Sequence, residues 1–124
     1  MFELSVTSRF SAAHHLQEFP GSCATLHGHN WDVEVFVLGE DLSEIGILVD
    51  FRELKQSVKA ALDELDHADL NALDAFRNRN PTSENIARFL FRRLSAAVNT
   101  DRYRVHKVSV NETPEARATY WDPA

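Results

Sequence analysis

The first part of the chain alternates between apolar and polar side chains, which is typical of β-strands that bury one face. One apolar series comprises Phe2, Leu4, Val6, Phe10, Ala12 and His14. A second series comprises His27, His29, Trp31, Val33, Val35 and Val37. We expect these two strands to pair as an antiparallel hairpin. Residues 15–26 would connect them, with a turn at residues 19–22, where proline and glycine are adjacent.

Two later segments carry apolar residues at helical spacing. The first predicts a helix over about residues 51–65, with Asp50 and Glu53 resembling a capping box at its start. Its apolar series comprises Phe51, Leu54, Val58, Ala61, Leu62 and Leu65. The second helix begins within residues 80–85, where Thr82 or Ser83 is a suitable N-cap. Its apolar series comprises Ile86, Phe89, Leu90, Leu94 and Val98.

Two further strands are expected over residues 103–112 and 117–121. The order strand, strand, helix, helix, strand, strand predicts an α+β fold, ββααββ, in which an antiparallel sheet of four strands carries both helices on one face. Such an open sheet has two edges with unpaired backbone groups. We therefore expect the chain to form oligomers that cover these edges.

Length and composition narrow the class of protein. The 124 residues suffice for one domain, residues 1–124, with its own core. A single cysteine excludes an internal disulfide framework and fits a reducing compartment. We find no secretory leader and no apolar run long enough to span a bilayer, so we expect a cytoplasmic protein without a membrane partner. The net charge of −6 argues against nucleic-acid binding, because phosphate contacts require clustered lysine and arginine.

His27 and His29 are the strongest candidates for metal ligands. Residues two apart on an extended backbone point to the same face, so both imidazoles can bind one ion. Imidazole suits zinc, copper, iron and nickel, and a catalytic zinc usually has three protein ligands and one open position. His14 and His15 are the nearest candidates for the third ligand. The alternation favours His14, because it continues the apolar face of its strand.

Cys23 lies four residues before His27 and is either a further ligand or a free thiol beside the metal. The spacing does not follow the paired CxxC motifs of structural zinc sites, which favours the free thiol. An alternative without metal also exists: the histidines are surface or core residues, and Cys23 is a small buried apolar residue.

Three other positions are candidates for chemistry. Asp66 and His67 are adjacent near the end of the first predicted helix, and neighbours on a regular helix do not face each other. If the two cooperate, the backbone must leave the helix there; otherwise they are exposed charges at a helix end. Glu112 shares the parity of Val108 and Val110, where an ionised carboxylate needs a strong partner.

Several short motifs occur in a characteristic order between residues 10 and 114. They are Phe10-Ser11-Ala12-Ala13-His14, Cys23-x-x-x-His27-Gly28-His29-Asn30-Trp31, Asp50-Phe51-x-x-Leu54-Lys55, Leu65-Asp66-His67-x-x-Leu70-Asn71, Asn80-Pro81-Thr82-Ser83-Glu84-Asn85 and Asn111-Glu112-Thr113-Pro114. This set resembles the family of 6-pyruvoyltetrahydropterin and 6-carboxytetrahydropterin synthases over nearly the whole chain. His15 is a departure, since arginine is frequent there in the family.

The resemblance implies the tunnelling fold (T-fold), in which three subunits join their sheets into a barrel. Two such trimers stack into a homohexamer, with active sites between subunits. The implied substrate is 7,8-dihydroneopterin triphosphate, and the implied cofactor is Zn²⁺ held by His14, His27 and His29. No redox cofactor is needed, because the substrate's side chain and ring rearrange internally while triphosphate leaves.

The resemblance also implies the roles of the remaining site residues. Cys23 matches the family's general base, and His67, oriented by Asp66, matches its acid/base partner. Glu112 matches the residue that anchors the pterin through its amino group and ring N–H. All four are therefore expected to be catalytic residues.

Thr82 and Glu84, which in isolation would be capping residues of a helix, are expected to line the same pocket. Within the family, the short chain favours 6-carboxytetrahydropterin synthase of the queuosine (7-deazapurine) pathway, which releases acetaldehyde. The alternative is 6-pyruvoyltetrahydropterin synthase, which uses the same catalytic residues. A non-catalytic zinc- or pterin-binding module is an alternative of another class, although the presence of Cys23, Asp66 and His67 together argues against it.

Overall fold

The computed structural model describes residues 1–18 and 21–123, so the predicted turn at residues 19–22 lies partly outside the described residues. The main elements are β1 (Phe2–His14), β2 (His27–Gly39), α1 (Phe51–Asp63), α2 (Ser83–Val98), β3 (Tyr103–Thr113) and β4 (Ala116–Tyr120). Short 3-10 helices occupy Gly21–Ala24, Leu70–Ala72 and Asp74–Phe76. This order confirms the predicted ββααββ arrangement.

The four strands form one antiparallel sheet in the order β1-β2-β3-β4. The register of the first hairpin is unbroken, from Phe2 opposite Gly39 to His14 opposite His27. β3 is less regular, because its pairing shifts opposite Phe36/Val37 in β2 and again between Asn111 and Thr113. The predicted hairpin is therefore confirmed, and its histidine-bearing end is in register.

Both helices pack against the sheet, α1 on β1 and α2 on β3 and β4. The predicted apolar series of the strands and helices supply most of the buried core, with Phe10 stacked on Trp31 at 5.0 Å between ring centroids. Several predicted apolar positions are not fully buried. Phe2 is 46% exposed and Phe51 is 50% exposed, each at the first residue of its element, and Phe89 is only partly buried against Phe76.

The first helix ends at Asp63 rather than near residue 65. Its N-cap is Asp50, whose carboxylate accepts the Arg52 amide hydrogen. After the helix the chain turns along the outer edge of β1, where Ala13 donates its amide hydrogen to the Ala68 carbonyl at 2.9 Å. This segment covers the last residues of the β1 edge and leaves the earlier part of β1 without a strand partner in the described chain.

Neither helix of the described residues is long and apolar enough to cross a membrane.

Candidate metal centre and active site

The end of the first hairpin brings three imidazole rings together. His14 lies directly opposite His27, and His29 lies opposite Ala12, so all three side chains leave the same face of the sheet. Their ring centroids are 4.6 to 5.3 Å apart, and Trp31 packs edge-on against His14 and His29. His14 is only 1% exposed. The predicted convergence of the three histidines is thus present in the fold.

The backbone fixes the proton positions on two of these rings. His14 donates from Nδ1 to the Pro81 carbonyl at 2.7 Å, and His27 donates from Nδ1 to the Thr25 carbonyl at 2.6 Å. A carbonyl oxygen can only accept, so both Nδ1 atoms carry the hydrogen and both Nε2 atoms of the neutral rings carry a lone pair. Ligating histidines are commonly oriented in this way.

The two Nε2 atoms of His14 and His27 lie 3.0 Å apart. Two lone pairs at this separation repel each other unless a proton or a metal ion lies between them. Burial, the largest influence on the ring, lowers the pKa of His14, which favours the neutral form that can bind a metal. Tetrahedral zinc with bonds of 2.0–2.1 Å places its nitrogen ligands about 3.4 Å apart, close to the observed spacing.

Glu112 completes a set of four donors. Its Oε1 atom lies 3.1 Å from His29 Nε2 and 3.5 Å from His14 Nε2. One donor atom from each of His14, His27, His29 and Glu112 lies within 4.8 Å of the others. Three imidazoles and a carboxylate are typical zinc ligands, so these residues fit the expected cofactor.

Sequence reasoning placed Glu112 on the buried face but did not predict its contact with the histidines. The observation that could have indicated it is an acidic residue at the end of an otherwise apolar strand series, beside the histidine-bearing end of β2. The carbonyl of Pro81, which orients His14, was also missed. This contact could not be predicted, because every residue has a backbone carbonyl and the side-chain pattern does not show which one will face His14.

Cys23 lies in the short 3-10 helix before β2 and is partly exposed. Its carbonyl accepts the Leu16 amide hydrogen at 2.8 Å, which ties the turn to the residues that follow β1. Among the described residues, the metal-donor cluster includes Glu112 and does not include the Cys23 thiol. The chain therefore places this thiol next to the metal motif in sequence but outside the donor set.

Asp66 and His67 form a pair at the outer edge of β1. His67 has a left-handed backbone, with φ of 58°, and its Nδ1 lies 3.0 Å from Asp66 Oδ2. The backbone has left the helix at this point, which is the condition that we set for the side chains of Asp66 and His67 to face each other. Ser11 holds the segment from both sides, since its amide donates to Asp66 Oδ1 and its carbonyl accepts from the His67 amide.

The hydrogen bond from the Ser11 amide, the largest influence, lowers the pKa of the Asp66 carboxyl below its usual value. The His67 side chain is 83% exposed. Within the part of the chain that is described, no hydrogen bond joins Cys23 to Asp66 or His67.

Of the two candidate residues at the start of α2, Thr82 caps the helix and Glu84 lines a cavity. Thr82 is the N-cap, and its hydroxyl accepts the Asn85 amide hydrogen at 3.1 Å. Glu84 and Glu112 both line an open cavity of about 390 Å³, together with Arg117 of β4. Glu84 thus shares a cavity with Glu112, whereas Thr82 has the capping position that its residue type alone predicts.

Comparison with known proteins agrees with this fold and residue set. The family model described as 6-pyruvoyl tetrahydropterin synthase matches residues 3–123. The 6-carboxy-5,6,7,8-tetrahydropterin synthase of Bacillus subtilis is 34% identical over 125 residues, covering 96% of this chain and 84% of that protein. The enzyme of the same name from Synechocystis is 37% identical over 119 residues, covering 92% of this chain and 88% of that protein.

A solved structure shows the same architecture. The 6-pyruvoyl tetrahydropterin synthase of Caenorhabditis elegans superposes with a TM-score of 0.86 at 29% identity, covering 98% of this chain and 96% of that one. The architecture is therefore that of a T-fold pterin synthase. The chain belongs to the 6-pyruvoyl tetrahydropterin synthase family, and the expectation that it is an enzyme of this family is confirmed.

Proposed function

We propose that the chain converts 7,8-dihydroneopterin triphosphate and one water molecule to 6-carboxy-5,6,7,8-tetrahydropterin, acetaldehyde and triphosphate, with zinc as its cofactor. The observation that carries this proposal is the set of three imidazoles beside Glu112 at the end of the hairpin. The names of the Bacillus subtilis and Synechocystis relatives support the choice of product.

His14, His27 and His29 would hold the zinc through their Nε2 atoms. When bound, the zinc supplies a Lewis acid that polarises the oxygens of the substrate's side chain. Hydrogen bonds from Nδ1 to the carbonyls of Pro81 and Thr25 fix the rings of His14 and His27 before any ligand arrives. The chain thus orients its ligands with the backbone rather than with further charged side chains.

Glu112 is proposed to bind the pterin ring by accepting hydrogen bonds from its amino group and ring N–H. Its carboxylate lies within 3.5 Å of two of the histidines. A pterin bound to Glu112 would therefore present its side chain to the metal centre. Glu84, which lines the same cavity as Glu112, and Thr82, the N-cap of α2, are proposed to complete the binding pocket.

Cys23 is proposed to remove a proton from the substrate's side chain as general base. His67 is proposed to transfer a proton at the ring, with Asp66 stabilising its protonated form. The short link from Leu16 to Cys23 and the two links from Ser11 to residues 66–67 attach both groups to the residues of β1 and its continuation.

We propose that the active form is a homohexamer, a dimer of trimers, with each active site formed between subunits. Three features of the described chain support this. The predicted catalytic groups Cys23 and His67 share no hydrogen bond within the described chain, and β1 and β4 are the outer strands of the sheet. The connection after β2 and the start of α1 also carry exposed apolar side chains, namely Leu42, Ile45, Ile47 and Phe51.

A direct assay tests the proposed function. Zinc-loaded protein is incubated with 7,8-dihydroneopterin triphosphate, the pterin product is identified by mass, and acetaldehyde is measured separately. The proposal predicts a carboxylated tetrahydropterin and acetaldehyde in equal amounts. A product that retains all three side-chain carbons would instead indicate a 6-pyruvoyltetrahydropterin synthase, and binding without turnover would indicate a non-catalytic pterin-binding module.

A further inference from the structure

Two asparagine side chains hold the backbone that follows β1. Asn71 accepts the His15 amide hydrogen through Oδ1 at 2.9 Å and donates from Nδ2 to the His15 carbonyl at 3.0 Å. Asn80 makes the same two bonds to Gln17, at 2.9 and 3.0 Å. Each amide thus satisfies both backbone groups of one residue.

These bonds reproduce the pattern of a β-ladder with side chains in place of a strand. In extended chain, residues two apart present their N–H and C=O groups to the same side, so His15 and Gln17 face one edge together. Asn71 and Asn80 pair with that edge. The two amides therefore hold residues 15–17 in place beyond the end of β1, where the described chain offers this edge no backbone ladder.

Both asparagines are themselves held by hydrogen bonds to neighbouring residues. Asn71 follows Asp69, which accepts its amide hydrogen at 3.2 Å and bridges to Ala13 of β1. Asn80 is attached to α2, because its carbonyl accepts a hydrogen bond from the Asn85 side chain at 2.8 Å. Arg88 in turn donates to the Asn85 side-chain oxygen at 2.6 Å.

Leu16, between the two residues that the asparagines hold, connects this segment to Cys23. Leu16 lies between His15 and Gln17, so its backbone groups face the opposite side. There its amide donates to the carbonyl of Cys23 at 2.8 Å. Displacing residues 15–17 would therefore displace the turn that holds Cys23.

We propose that Asn71 and Asn80 are positioning residues that set the place of the Cys23 thiol relative to the metal centre. This inference rests on the proposed role of Cys23 as general base. Neither asparagine belongs to the metal-donor cluster, and the orientation of His14 depends on Pro81 rather than on either amide side chain. The Asn71 side chain is thus separable from the histidine cluster by mutation. Asn80 directly precedes Pro81, so zinc content in Asn80→Ala also reports any effect that reaches His14 through that carbonyl.

The test uses Asn71→Ala and Asn80→Ala in the full-length protein, with Asn78→Ala as the matched control. Asn78 is exposed and, among the described residues, its side chain makes no hydrogen bond. Because small misplacements of a catalytic group cost up to about 100-fold in rate, we expect kcat to fall about 10- to 100-fold in each clamp variant. We expect KM and zinc content to change by less than about twofold, since substrate and metal ligands are untouched.

Two readouts on the metal-free protein do not depend on activity. Amide hydrogen exchange at residues 15–17 should accelerate in the clamp variants, and alkylation of the single thiol by iodoacetamide should become faster as its turn loosens. The control should match the parent protein in both. If the alanine variants do not fold, Asn71→Asp and Asn80→Asp retain the shape and the acceptor, and Asn78→Asp is the control of equal charge.

The possible outcomes separate this inference from the proposed function. Faster exchange and alkylation in a protein that shows no synthase activity would retain the clamp and overturn the proposed function. Unchanged alkylation, or a kcat equal to that of the parent, would overturn the clamp. Loss of zinc in proportion to kcat would also overturn it, because the asparagines would then act on the metal centre.

Discussion

At the scale of single residues, alternation along β1 predicts which of the adjacent His14 and His15 is the metal ligand. The first is buried with its Nε2 toward His27, whereas the second is only partly buried and engages Asn71 through its backbone. We predict that His14→Ala abolishes stoichiometric zinc binding, because a lost imidazole leaves too few ligands. His15→Ala, the matched control, should keep one zinc per chain by metal analysis. The opposite result would refute the assignment of His14.

The carboxylate of Glu112 has two possible roles that mutation can separate. If it anchors the pterin, Glu112→Gln should weaken pterin binding and turnover while zinc content stays that of the parent protein. Titration with a pterin product and metal analysis of the same sample measure both. A Glu112→Gln protein that loses zinc would show that the carboxylate is required as a metal ligand.

Asp66 gives a prediction for pH dependence. Its pKa in the folded chain lies below the ordinary value of 3.8, so the unfolded chain binds the proton more readily. Its contribution to stability is therefore complete above about pH 3.8 and is lost as the pH falls below that value through the folded pKa. The stability difference between the parent and Asp66→Asn, from urea unfolding, should shrink below this pH. A difference that stays constant down to pH 2 would contradict the argument.

At the scale of elements, the sequence predicts those features that depend on periodicity. The parity of β1 and β2 is sufficient to bring three histidines to one face, and this follows from residues close together in the chain. Contacts made by loops that are distant in sequence could not be predicted from periodicity. The clamp on residues 15–17 comes from Asn71 and Asn80, more than fifty positions later, and a lone asparagine pattern does not reveal its acceptor.

Both predicted helices are present, and they depart from the prediction only in details set by tertiary packing. Phe51 has the right period for a core position but lies at the exposed start of α1. The helix itself stops at Asp63, because the following residues pair with the edge of β1 instead. Periodicity describes one helix in isolation and does not include the neighbour that ends it.

The two glycines of β2 give a paired test of the sheet. A Cβ atom on Gly39 would lie 2.6 Å from the Arg102 carbonyl, whereas one on Gly28 would meet only the Ala12 carbonyl at an ordinary 3.6 Å. We predict that Gly39→Ala lowers the free energy of unfolding by about 1–3 kcal/mol, because backbone must move. Urea unfolding of metal-free protein measures this, with Gly28→Ala as control. Equal stability of the two variants would refute the close packing at the end of β2.

At the scale of the whole molecule, the proposed active site takes residues from more than one chain. The four candidate metal donors come together within one chain, but no hydrogen bond among the described residues joins Cys23 to the Asp66–His67 pair. Among the residues that the structure describes, no further strand pairs with the outer edges of β1 and β4. Sites shared between subunits would explain both features, because a heterologous interface places different residues of two copies side by side.

Complementation between two inactive variants tests most directly the claim that each active site is shared between subunits. Cys23→Ala and His67→Ala should each lower turnover about 10²- to 10⁴-fold while keeping zinc, since each removes one proton-transfer group. After the two variants are unfolded and refolded together in equal amounts, about a quarter of the shared sites would regain both groups. If the sites are shared between subunits, synthase activity returns to about that fraction in mixed oligomers verified by mass. Mixed oligomers that remain as inactive as either variant alone would contradict this claim.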